Sequence, residues 1–211
     1  MPQTGWLLSF IFRQRAITKT LQSNFWYTRP NSLQEVLMPR FEVDVDPCDH
    51  ITADAIGQPG QRVFYLHAWQ AARAVTVILE KIQLQSLAVS MEQFLAQLVT
   101  ERPELDEISA EYSEAKMRIS PPLEPVFRVG EIGLGYDPAR DLVVIITHEI
   151  LAEGDDPEEA AVVRFWCSRN QALALARWSS VVVQRGRPIC TQCGQPIDPA
   201  GHFCPKKNGH R

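Results

Sequence analysis

Apolar and polar residues alternate from Arg40 to Asp46, with Phe41, Val43 and Val45 on one face. That two-residue period predicts a half-buried strand. His50–Gly57 ("HITADAIG") is read as a second strand ending in "GQPGQ" (Gly57–Gln61), a stretch dense in turn residues. Arg62–Gln70 and Ala74–Glu80 are rich in β-branched and aromatic residues and predict two more strands. The period then changes. Leu84, Leu87, Ala88, Met91, Phe94, Leu95 and Leu98 follow one another at spacings of three and four, which is the apolar stripe of an amphipathic helix running to about Pro103. The acidic stretch after it, 101–124, leads through "SPPLEP" and predicts a linker or long loop.

Beyond this stretch the order of elements recurs. Phe127–Asp137, Asp141–Leu151 and Ala161–Cys167 predict strands, with "DPAR" as the first turn and the acidic run Ala152–Ala160 as a loop. Ser168–Gln184 predicts a helix whose Ser168 and Gln171 have the S-x-x-Q spacing of a capping box. Its small-residue face is Ala172, Leu175, Ala176, Ser179, Val182 and Val183, and Gly186 and Pro188 stop it. The expected fold class is α+β: duplicated strand-strand-strand-helix units, at about 38–100 and 125–186, around a shared core with one extra strand in front. Each unit alone leaves a sheet face and a helix stripe uncovered, and pairing the units buries both.

Composition narrows the class without naming a function. With 45% hydrophobic and 22% charged residues, the chain has the make-up of a globular protein. A formal net charge of -4 disfavours a general nucleic-acid binder, since phosphate binding relies on clustered Lys and Arg. The apolar run Gly5–Phe12 is shorter than the ~20 residues of a membrane span. Its basic residues follow it, whereas a secretory signal has them in front. Residues 1–37 are therefore expected to be a poorly ordered extension, or sequence upstream of a start at Met38.

Three of five cysteines and two of five histidines fall in "CTQCGQPIDPAGHFCPKKNGHR", Cys190–Arg211. Cys190 and Cys193 have C-x-x-C spacing, which places two thiolates on one tetrahedral ion from a tight turn, and Cys204 supplies a third. Either His202 or His210 completes four ligands by spacing alone. The predicted site is a structural zinc knuckle in a tail spanning 187–211. Clustered cysteines in an odd-numbered set point to a metal in a reducing, cytoplasmic setting more than to disulfides.

The segments "GQPGQRVFYLHAWQ", "LEPVFRVGEIGLGYD" and "RPICTQCGQPIDPAGHFCP…NGHR" together resemble a bacterial family of uncharacterised proteins, the domain of unknown function numbered 3090. The resemblance covers roughly Met38–Arg211. Cys190, Cys193, His202 and Cys204 match the family's closing pattern, so the resemblance implies His202 as the fourth ligand. It implies no activity.

Other candidates carry less. His67 and His148 lie in corresponding strands of the two units, where a meeting pair would serve as bases or ligands. Cys167 reads as a small buried apolar residue, and Cys48-x-His50 as a weak ligand pair. "GQPGQ" lacks the P-loop lysine and reads as a turn, and "DDPEE" as a solvated loop. Arg185, Arg187, Lys206, Lys207 and Arg211 form a basic rim around the tail. Three functions follow. The first is a non-enzymatic protein-binding or scaffold role. The second is nucleic-acid binding through that rim, and the third a hydrolase or transferase site between the units.

Overall fold

The computed structural model describes residues 41–188, 190–197 and 201–208. The expectation for residues 1–37 falls outside them, as do His210 and Arg211.

The seven predicted strands form one sheet: β1 (Glu42–Val45), β2 (His50–Ile56), β3 (Val63–Gln70), β4 (Arg73–Leu79), β5 (Pro125–Asp137), β6 (Leu142–Glu149) and β7 (Val162–Ser168). Their order is β1-β7-β6-β5-β4-β3-β2. Helix α1 (Lys81–Glu101) follows β4, and α3 (Arg169–Gln184) follows β7. Each half of the chain thus presents three antiparallel strands and then a helix. The halves join where β4 and β5 pair in parallel.

The hydrophobic periods explain the layers. All seven apolar residues of the predicted α1 stripe are buried. So are the six small-face residues of α3. These stripes pack together and against the inward positions of the sheet, among them Leu66, Val77, Val129, Ile145 and Phe165. The predicted capping box of α3 is formed: Ser168 Oγ accepts from Gln171 N at 3.2 Å, and Gln171 Oε1 accepts from Ser168 N at 2.9 Å. Gly57 has φ +117, and a Cβ there would come within 2.8 Å of the Gln61 carbonyl oxygen, so the "GQPGQ" turn needs glycine.

The two ends of the sheet order are bound by the chain itself. β1 lies parallel to β7, whereas β2 pairs with β3. Between them Cys48 N donates to Trp166 O at 2.7 Å and Asp49 N to Trp69 O at 2.9 Å. The chain therefore steps from the β7 edge to the β3 edge within a few residues, and the sheet curls around the helices.

The outer edge of β2 is covered, which protects backbone groups that would otherwise invite another strand. Trp178 Nε1 of α3 donates to Ala53 O at 2.6 Å. Thr52 Oγ1 donates to Met117 O at 2.6 Å, and Ile119 N donates to the Asp54 carboxylate at 3.2 Å. These last partners belong to the segment 101–124, predicted as a linker. It acts as a strap, with one helical turn, α2 (Glu114–Met117), and Met117 only 2% exposed. Arg169 Nη1 holds Asp106 O at 2.9 Å, and Asn170 Oδ1 accepts from Ser109 N at 2.9 Å. Arg169, 5% exposed, would oppose the dipole at the start of α3, but Asp141 pairs with its Nε at 2.7 Å.

Candidate metal centre

After α3 the chain turns through Arg185–Pro188 and doubles back as a small hairpin. Ile197 N donates to Pro188 O at 2.7 Å, Cys190 N to Gln195 O at 2.8 Å and Gly194 N to Cys190 O at 2.9 Å. Gly194 adopts φ +75, a left-handed conformation that costs glycine little. This turn aims amides at sulfur. The amides of Cys193 and Gln192 bring the Cys190 thiol down to about 6. The Gln195 amide acts the same way on Cys193, but burial and the neighbouring thiols leave that group above its ordinary value.

The segment that follows returns His202 and Cys204 to the turn. The ligand atoms of Cys190, Cys193, His202 and Cys204 all lie within 4.8 Å of one another. Cys204 is 5% exposed. Cys190 Sγ and Cys204 Sγ are 3.8 Å apart. A tetrahedral ion with sulfur at about 2.3 Å needs a sulfur–sulfur edge of about 3.8 Å, so this pair already fits. Cys193 Sγ and His202 Nε2 are 3.1 Å apart, which is hydrogen-bond distance. The corresponding sulfur–nitrogen edge is about 3.6 Å, so an ion would spread this pair by about half an ångström. The set can hold a metal ion, and with four protein ligands it has the closed form of a structural site.

The strand pattern and this Cys/His cluster fall together in one comparison. The profile of a family described as a protein of unknown function, DUF3090, matches residues 43–204. The chain belongs to this family. The DUF3090 match takes in Cys190, Cys193, His202 and Cys204. No curated protein and no solved structure matches the chain.

Elsewhere the structure separates residues that the sequence offers as candidate pairs. His67 lies on β3 and His148 on β6, with β4 and β5 between them in the sheet. Their meeting at an interface is thereby corrected: symmetric places in two meanders laid side by side are not neighbouring places. His67 Nδ1 instead bonds Thr76 Oγ1 at 2.7 Å. Cys48 does not join His50 as a ligand pair; its Sγ–H points to Val45 O at 3.5 Å. Burial pushes the Cys48 thiol up to about 12 and also raises Cys167. In "DDPEE", Asp156 caps Glu158 N at 2.9 Å in an exposed turn.

The basic rim is partly engaged. Arg185 pairs with Glu114 at 2.8 Å and lies over the Trp178 ring at 4.7 Å from its centroid. The Arg187 guanidinium lies against the turn at Gly60. Lys206 is exposed on α4 (Pro205–Asn208). No described helix is long and apolar enough to cross a membrane.

His50 was missed as a functional candidate in its own right. Its ring rests on Trp69 at 4.4 Å between centroids and meets the Lys116 backbone, while its buried Nε2 forms no well-aligned hydrogen bond with a described residue. No local motif marks it, because its surroundings come from the strap and α3.

Burial lowers the pKa of His67, and nearby His50 lowers it further; burial also lowers His50. A depressed folded-state value means that the unfolded chain takes up protons first. The stabilisation is therefore complete above about 6.5 and is lost as pH falls through the folded values. The urea midpoint is expected to fall as pH drops below about 6.5, and His67→Gln should flatten that dependence. An unchanged slope in the variant would remove His67 from the account. Asp141, lowered by its hydrogen bond to Arg169, acts in a separate and more acidic window.

Proposed function

We propose that this protein is a non-enzymatic binding protein whose C-terminal tail is fastened by one structural zinc ion on Cys190, Cys193, His202 and Cys204. The convergence of those four ligand atoms within 4.8 Å carries the reading. Zinc suits this mixture of thiolate and imidazole, and four protein ligands leave no position for substrate. The ion supplies binding energy that the tail lacks in apolar contacts. The repeated order of three strands and a helix supports an internal duplication whose halves share one core. Reduced thiols suit a cytoplasmic setting.

Protein purified under reducing conditions is expected to carry about one zinc per chain. His202→Ala should remove most of it, whereas His210→Ala should leave it in place. Metal-free protein from a reduced preparation would sink the zinc reading, and equal loss in the two variants would sink the ligand assignment.

A further inference from the structure

A cleft of about 490 Å³ opens between β2, the strap and the start of α3. That size suits a small molecule. Its lining divides by chemistry. Ile51 and Met117, each 2% exposed, provide an apolar floor, and Tyr112 adds an aromatic flank. His50, Lys116 and Asn170 bring polar groups to the same cleft.

Two observations set the sign of the ligand, and a third marks a polar position in the cleft. Lys116 is exposed, lies close enough to His50 to act on it electrostatically, and forms no ion pair with a described carboxylate. The first turn of α3 forms part of the wall and has no acidic residue, so it offers the positive end of the helix dipole. The half-buried His50 ring makes a backbone contact with Lys116, and its Nε2 forms no well-aligned hydrogen bond with any described residue. Buried polar atoms are normally paired, so an unpaired one beside a cleft points to a group from outside. Glu111 is the one acidic residue in the lining, against a lysine and a helix start.

We propose that this cleft binds a small organic anion, with a phosphate or carboxylate head toward Lys116, His50 and the start of α3, and an apolar body on Ile51, Met117 and Tyr112. This deepens the binding reading by giving it a ligand class, and it does not depend on the zinc.

The test is an amide-shift titration of the full-length, ¹⁵N-labelled protein with phenyl phosphate, benzoate, inorganic phosphate and phenol, each to about 10 mM, a range that detects weak binding. Saturable shifts are expected at residues 50–51, 111–117 and 170–174 with phenyl phosphate or benzoate. The stronger of the two identifies the head group. Lys116→Glu should weaken binding at least about tenfold, and Lys116→Gln less, with the rest of the spectrum unchanged. Absence of saturable shifts with both organic anions would overturn the proposal. Phenol or inorganic phosphate binding as tightly as both organic anions would overturn it too, as would unchanged binding in Lys116→Glu. Zinc content measured on the same samples keeps the two readings apart: failed binding by zinc-loaded protein counts against the cleft alone.

Discussion

Replacing Trp178 with alanine is expected to lower the free energy of unfolding by about 3–5 kcal/mol, the range for removing a large buried aromatic. Trp178 is 0% exposed and sits where three parts of the chain meet. Tyr112 of the strap approaches its ring edge-on at 5.7 Å, and Arg185 covers a face at 4.7 Å. Its Nε1–H reaches Ala53 O on the outer edge of β2 at 2.6 Å. Alanine would leave a cavity and strip that carbonyl, on a residue itself 0% exposed, of its partner. Trp178→Phe separates the two effects. It keeps most of the volume and leaves the carbonyl unpaired, which should cost about 1–3 kcal/mol. Urea unfolding of both variants measures the difference. A loss below about 1 kcal/mol for Trp178→Ala would mean that α3 does not seal the β2 edge as described.

Cys190→Ser is expected to weaken metal binding by more than about 100-fold, since loss of an outer-shell partner alone typically costs 10–100-fold. Its consequence for the fold should be local. The main core cluster ends at Val183 and includes none of the four ligands. Phe203, between two of them, is 74% exposed. With so little apolar burial, the hairpin bonds of Cys190, Gly194 and Ile197 are expected to depend on the proposed ion. Hydrogen exchange should therefore show those amides losing protection in the variant, while α1, α3 and the central strands keep theirs. Global unfolding of the variant would mean that the tail supports the body, contrary to the core's composition.

The periods at Val43–Val45 and Leu84–Leu98 were sufficient to read a strand and a helix, because those elements bury one face each, although Phe41, expected on the strand's apolar face, is 48% exposed. Pairing was less legible. The parallel contacts β4–β5 and β1–β7 join segments far apart in sequence, and no local pattern encodes them. Trp178 lies off the predicted α3 stripe yet is fully buried, because the strap and β2 cover a second side of that helix. The strap reads as a linker in sequence because its anchors, the buried Met117 and the partly buried Ile108 and Tyr112 together with polar bonds such as Thr52 to Met117, follow no periodic apolar face. In the metal centre, the spacing of Cys190 and Cys193 was informative because one turn sets their geometry. The choice of His202 depended on a chain reversal that spacing does not determine. The cleft was invisible for the same reason as the strap: His50, Lys116 and Asn170 meet only in three dimensions.

The proposed site holds one zinc ion on three thiolates and one imidazole at the end of this fold. X-ray absorption at the zinc edge of the purified, reduced protein tests it most directly. The expected first shell is three sulfurs at about 2.3 Å and one nitrogen at about 2.0–2.1 Å. A shell of oxygen and nitrogen alone, a shell with two or fewer sulfurs, or a sample without zinc would contradict it.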